Sequence, residues 1–260
     1  MTSRIEKTFA KGRPAFVAYI MGGDPDLATA QDVMNALPGA DVDIIELGFP
    51  FTDPMADGPV IEEAGIRARK GGTTLTSVIG MARTFRKTDQ DTPIILMGYA
   101  NPVYHMGYEA FSTRASDAGV DGAIIVDLPP EEDGPLRDAM HAQGMSLIRL
   151  ATPTTDANRL PKVVSGSSGF VYYVSMNGVT GGALASGGSV REQVARVKAA
   201  SNLPVVVGFG VRTPERASEI AREADGVVVG TAIVDALHKD GKDAALALVR
   251  SLADATHLSS

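Results

Sequence analysis

The 260-residue chain contains no cysteine. That removes disulfides, thiolate nucleophiles and cysteine-ligated metals together. No apolar run approaches the roughly 18 residues that a membrane-spanning helix needs. No basic stripe stands out either. The 24 Lys and Arg are interspersed with 31 Asp and Glu, for a net charge of −7, which makes nucleic acid a poor partner. The first seven residues are polar and lack the apolar segment of a signal peptide, so a cytoplasmic protein is expected. Hydrophobic residues make up 44% of the chain, enough for a large core.

Short apolar runs recur along the whole length, each followed by turn residues and a helix-like stretch. They occupy residues 15–20, 42–46, 93–97, 122–127, 145–150, 170–174, 204–208 and 225–229. Their apolar content is nearly continuous, as in strands buried on both faces of a parallel sheet. Amphipathic stretches at 27–37, 74–87, 107–118, 131–143, 190–199 and 213–223 separate them. Thr213-Pro214-Glu215 is a typical helix start, with Thr at the N-cap and Pro in the first turn. Eight such units predict an α/β fold: a single (β/α)8 TIM barrel with extra helices, spanning residues 1–260 as one domain. A doubly wound open sheet is the rival. It favours a G-x-G-x-x-G turn after the first strand, whereas this chain has Met21-Gly22-Gly23-Asp24-Pro25.

In a barrel of this kind the site lies at the C-terminal ends of the strands. There the second run ends in Glu46, and the loop Gly48-Phe49-Pro50-Phe51-Thr52-Asp53-Pro54-Met55-Ala56-Asp57-Gly58-Pro59 follows at once. An acid at the end of a buried strand is costly unless it is used or paired. Burial beside Phe49, Phe51 and Tyr172 is expected to raise the pKa of Glu46 and suit it to proton transfer. A wetter Asp57 would stay ionised, and two such acids can divide acid and base work. The plainer alternatives are an Asp-Pro turn at Asp53, an Asp-Gly turn at Asp57 and a structural partner role for Glu46. Asp127 ends the fourth run.

Three late loops are rich in glycine: Asn177-Gly178-Val179-Thr180-Gly181-Gly182, Gly208-Phe209-Gly210 and Gly230-Thr231. Each alone reads as a tight turn. Converging on one barrel corner, they suggest a phosphate held by backbone N–H groups at a helix start, aided by the Thr231 hydroxyl. No Lys or Arg lies in the latter two segments. No lysine ends a strand, which argues against a Schiff-base enzyme. The four histidines are scattered without ligand spacing, and no Ser or Thr is paired with one, so neither a zinc site nor a triad is visible. Magnesium held by acids stays open. The residues thus point to a barrel enzyme using carboxylates on a small phosphorylated metabolite.

With these motifs in place, the chain resembles the α subunit of tryptophan synthase from end to end. The resemblance rests on Gly23-Asp24-Pro25, on Glu46-Leu47 with the loop through Pro59, and on Tyr99-Ala100-Asn101-Pro102. Asp127-Leu128-Pro129, Gly178-Val179-Thr180-Gly181 and Gly208-Phe209-Gly210 complete it. It implies retro-aldol cleavage of indole-3-glycerol phosphate to indole and glyceraldehyde 3-phosphate. Glu46 would carry protons at indole C3 and the glycerol hydroxyl, and Asp57 would bind the indole N–H. The N–H groups of Gly181, Gly210, Gly230 and Thr231 would hold the phosphate. Tyr19, Met97, Tyr172 and Phe209 would line the indole pocket, and Thr180 would sit on a closing loop. The resemblance also implies an α2β2 heterotetramer with a β subunit that carries pyridoxal phosphate. This chain would have no cofactor of its own and would meet that subunit through residues 50–57, residues 101–104 and Gly178. Thr231 stands where many members carry serine, which keeps the hydroxyl. Phosphoribosylanthranilate isomerase and indole-glycerol-phosphate synthase are rival barrels, but neither fits the Glu46 to Asp57 loop. A non-catalytic activator of a partner could lose either acid.

Overall fold

The computed structural model describes residues 2–174, 190–208 and 210–258. Among these residues nine strands form one all-parallel sheet: Ala15–Met21 (β1), Ile44–Gly48 (β2), Ile94–Gly98 (β3), Gly122–Ile125 (β4), Ser146–Leu147 (β5), Arg149–Ala151 (β6), Val171–Val174 (β7), Val205–Gly208 (β8) and Gly226–Val229 (β9). Their order is β5-β4-β3-β2-β1-β9-β8-β7-β6. The two ends of this list are halves of one strand. The predicted fifth strand is interrupted at Ile148: β5 pairs with β4, and β6 pairs with β7. The chain thereby closes an eight-stranded barrel, and nine segments replace the eight expected.

The β residues alternate between two cores. Val17, Ile44, Ile95, Ile124, Ile148, Val206 and Val228 point inward and fill the cylinder. Their neighbours Phe16, Ala18, Ile45, Leu96, Val205 and Val227 point outward against the helices. Burial on both faces is why the runs read as continuously apolar. Ile5, from the first helix Arg4–Phe9, joins the inner cluster, and the Phe9 ring packs 5.8 Å from that of Phe170. Together they stop the N-terminal end of the barrel.

Three aspartates at that end tie strands together. Phe16 N donates to Asp43 Oδ2 (3.0 Å), Ile94 N to Asp121 Oδ2 (2.9 Å) and Val205 N to Asp225 Oδ2 (2.8 Å). Each carboxylate also takes a cation: Lys11 and Arg13 on Asp43, Arg4 and Arg86 on Asp121, and Lys198 on Asp225. His257, in the helix Lys242–His257, reaches Asp43 at 2.7 Å and secures the C-terminal helix to the same post.

Two strand ends differ from expectation. Glu46 is not the last residue of its strand. β2 continues to Gly48, which pairs with Met21 on one side and Met97 on the other. Gly48 is required there because an added Cβ would lie 2.2 Å from the Tyr19 hydroxyl oxygen. Asp127 lies beyond β4, which ends at Ile125. Among the described residues no helix is long and apolar enough to cross a membrane.

Candidate active site

Glu46 sits on the inner face of β2, opposite Tyr19 of β1 in the ladder. It is 1% exposed, and burial pushes its pKa from 4.5 up to about 8. Its Oε2 atom has no hydrogen-bond partner among the described residues. Burial with no donor at Oε2 favours the protonated form of Glu46 at pH 7. Burial is the cause anticipated from sequence, but of the three rings expected beside Glu46, Phe51 stacks on Tyr99 in the loop and Phe49 is elsewhere too. Phe49 turns outward into the helix-facing core, its ring filling the space beside Gly98. Tyr19 and Tyr172 are the tyrosine rings that share the inner face with Glu46. Both are buried, and Glu46 helps to hold the hydroxyl pKa of each well above its ordinary value, after the larger effect of burial.

Asp57 is half-buried in the loop after β2. Tyr99, immediately after β3, donates from its hydroxyl to Asp57 Oδ1 (2.8 Å) and accepts from Ala56 N (3.1 Å). Its ring stacks on Phe51 of the same loop, with centroids 5.4 Å apart. Burial raises the Asp57 pKa, the Tyr99 hydrogen bond opposes this, and Glu62 adds a further upward push. Asp57 in turn raises the pKa of Tyr19, which places both acids within electrostatic reach of one hydroxyl. Asp53 is exposed and accepts from its neighbour Thr52. Asp127 accepts from Ala100 N (2.7 Å) at the start of the helix Ala100–Met106.

The loop carrying Asp57 runs into the helix Pro59–Lys70, whose Ala64 and Ala68 pack on Tyr19 and Met21. Arg67 of this helix forks onto Asp24, with Nε 2.6 Å from Oδ1 and Nη2 3.0 Å from Oδ2. Asp24 is buried in the loop after β1. The pair ties the loop after β1 to the helix that follows the Asp57 loop. Met97 on β3 borders both the inner cluster and the Tyr19 cluster.

On the other side of Tyr19, β8 and β9 end in glycine loops. Gly210 has φ +76°, and an added Cβ would meet nothing within 4 Å among the described residues. Gly230 precedes the helix Thr231–Asp240, whose first N–H groups have no side-chain cap. Such free donors carry the positive end of the helix dipole. The Cβ position of Gly230 lies 3.2 Å from Tyr19 Cβ, so the two halves of the mouth meet at this tyrosine.

The structure thus brings together Glu46, Asp57, Tyr19, Met97 and Tyr172, with Gly210, Gly230 and Thr231 on the adjoining rim. Thr180, Gly181, Phe209 and Gly178 lie outside the described residues. Sequence reasoning missed the Tyr99 hydroxyl and the Asp24–Arg67 pair. Tyr99 carried a signal, since it follows a strand run at the level of the rim. The Asp24–Arg67 pair spans 43 positions and carried none.

The fold is a (β/α)8 barrel whose mouth holds a buried carboxyl, Glu46, near a second, half-buried one, Asp57. Comparison narrows the class. Residues 5–259 match the family model "Tryptophan synthase alpha chain". The chain belongs to the tryptophan synthase alpha chain family, lyases that act on indole-3-glycerol phosphate in tryptophan biosynthesis and form complexes with a β subunit. The tryptophan synthase alpha subunit of Legionella pneumophila str. Paris is 40% identical, with a TM-score of 0.89 over 98% of this chain and 99% of that one. A structure of tryptophan synthase from M. tuberculosis in its aminoacrylate-bound form is 35% identical, with a TM-score of 0.88 over 98% and 99%. A chain from Aquifex aeolicus VF5 is 35% identical, with a TM-score of 0.89 over 97% and 98%.

Proposed function

We propose that this chain cleaves indole-3-glycerol phosphate to indole and glyceraldehyde 3-phosphate, with Glu46 as the proton carrier and Asp57 as the charge-stabilising acid. The observation that carries this reading is the buried, neutral Glu46 carboxyl, with Oε2 unpartnered at the barrel mouth. A neutral carboxyl can protonate indole C3. That step leaves a carboxylate on Glu46 and a positive charge on the indole nitrogen, which Asp57 stabilises through the N–H. The Glu46 carboxylate then takes the proton of the glycerol hydroxyl. The C–C bond breaks, its electron pair returns to the ring, and the hydroxyl carbon becomes the aldehyde. Glu46 ends protonated, as it began.

The phosphate would rest on the N–H groups of Gly210, Gly230 and Thr231 and on the Thr231 hydroxyl, with Gly181 as a further donor. The open space at Gly210 and the uncapped helix start support this placement. Tyr19, Met97, Tyr172 and Phe209 would enclose the indole ring, and Thr180 would belong to the loop that closes over it.

The same proposal includes an α2β2 assembly in the cytoplasm, with pyridoxal phosphate bound by the β subunit and no cofactor in this chain. Met55 is 81% exposed and Tyr104 is 72% exposed. Both fall in the segments expected to meet that subunit, and exposed large apolar side chains favour a partner. The direct test is to mix the isolated chain with indole-3-glycerol phosphate and assay for indole. Absence of indole both alone and with a β subunit overturns the reading.

A further inference from the structure

We propose that Tyr19 is a positioning residue for proton transfer: its hydroxyl donates a hydrogen bond to the Glu46 carboxylate once the proton has left. The inference rests on the reading of Glu46 as the proton carrier and goes one step further into the same site.

Four observations meet at this hydroxyl. Tyr19 and Glu46 are direct partners in the β1–β2 ladder, so both side chains leave the sheet on the inner face. The tyrosine ring is fixed in place: its hydroxyl end lies over Gly48, where an added Cβ would be 2.2 Å from the oxygen, and its Cβ abuts Gly230. Two glycines are thus given up to seat one phenol, a costly arrangement in strand-end backbone unless the oxygen is wanted there. Among the described residues Glu46 Oε2 is buried without a hydrogen-bond partner, and the Tyr19 hydroxyl stands on the same wall of the barrel. A buried polar group left unpaired is normally costly. While Glu46 is neutral, its weak acceptor demands little. Once ionised it needs a donor, and Tyr19 is the neighbour on its own sheet face that has one to give.

The titratable groups around Glu46 are Tyr19 on β1, Tyr172 on β7 and Asp57 in the loop after β2, with Tyr99 behind Asp57. Asp57 and Glu46 both hold the Tyr19 pKa up, beyond the effect of burial. Tyr19 therefore keeps its proton at neutral pH and has it to donate. Tyr172 feels Glu46 from the opposite wall, and Tyr19 feels both acids.

The test is Tyr19→Phe, which removes one oxygen and keeps the ring in its seat. Two readouts are taken. The first is the ionisation midpoint of Glu46, followed by NMR in protein carrying 13C-carboxyl glutamate and assigned by comparison with Glu46→Gln. The second is the pH dependence of kcat with indole-3-glycerol phosphate. The expected result is a Glu46 midpoint about one pH unit higher in Tyr19→Phe, a tenfold change in ionisation constant. The alkaline limb of the kcat profile moves by the same amount, and KM changes little. Superimposable midpoints overturn the inference, and so does a raised KM with an unmoved pH profile, which marks a pocket wall and nothing more. A wild-type chain that never releases indole instead removes the parent reading, while the NMR titration still decides on Tyr19.

Discussion

Tyr99 holds Asp57 from a neighbouring strand: its hydroxyl donates to Asp57 Oδ1 at 2.8 Å while accepting from Ala56 N, one residue before. The stacked Phe51 ring completes the clasp. An acid on a proline- and glycine-rich loop is thereby given a fixed address above the barrel. Tyr99→Phe keeps the stack and loses the bond. We expect kcat to fall about tenfold, the equivalent of one hydrogen bond, with KM little changed. Steady-state kinetics checks this, and an unchanged kcat discards the clasp as a functional device.

Glu46→Gln keeps the shape of the side chain and removes its proton exchange. We expect indole release to fall by about a thousandfold while substrate binding persists. Turnover and calorimetric binding are measured side by side. Wild-type-like turnover rejects the proton-carrier role.

The same variant makes a separate prediction about stability. The folded pKa of Glu46 is about 8 against a reference of 4.5. The folded chain therefore binds this proton more tightly than the unfolded chain does. Its contribution to stability is greatest at acid pH, begins to decline near 4.5 and has declined fully above 8. Glu46→Gln escapes that decline. Urea titrations of both proteins should coincide near the lower limit and separate by a few kcal/mol in favour of the variant above the upper one. Parallel curves at all pH values would contradict the buried neutral state.

Asp43 has the opposite sign. Burial pushes its pKa up, but hydrogen bonds from His257, Lys11 and Phe16 N win and hold it far below the usual carboxylate range. Its stabilisation is present above the unfolded carboxylate pKa and is lost as the pH falls through the depressed folded value. Asp43→Asn leaves Lys11, Arg13 and His257 without their anion. We expect a cost of about 3 kcal/mol at pH 7, shrinking on acidification. Thermal melts at several pH values report it.

Gly210 has φ +76°, which disfavours any side chain and a β-branched one most. A valine there would also fill the open space where the phosphate is proposed to approach. Gly210→Val should raise KM about tenfold or more, with a smaller effect on kcat. Binding of glyceraldehyde 3-phosphate by the two proteins separates the causes: equal affinities mean strain alone.

The barrel was legible because burial on both faces leaves an unbroken apolar run, and eight such runs spaced by amphipathic stretches admit few folds. The break at Ile148 was not legible. A run of apolar residues does not reveal that its first half pairs to one side and its second half to the other. Glu46 was legible as an acid in an apolar strand, and its raised pKa followed from burial. The direction of Phe49 was missed because period-2 alternation continues three residues past Glu46, where the run ends in sequence, turning that ring outward. Tyr99 and Arg67 act across gaps of about 40 positions, and such pairings arise only when the barrel closes. The aspartates of the two ends also look alike in sequence. The closed barrel separates them: Asp43, Asp121 and Asp225 knit strands at the base, while Glu46 and Asp57 stand at the mouth.

Ile5 and Phe9 give the cylinder a floor. A cylinder filled at its base offers no way through that end, so among the described residues entry and exit fall to the rim. Traffic through the enzyme is then governed by whatever stands over that exit.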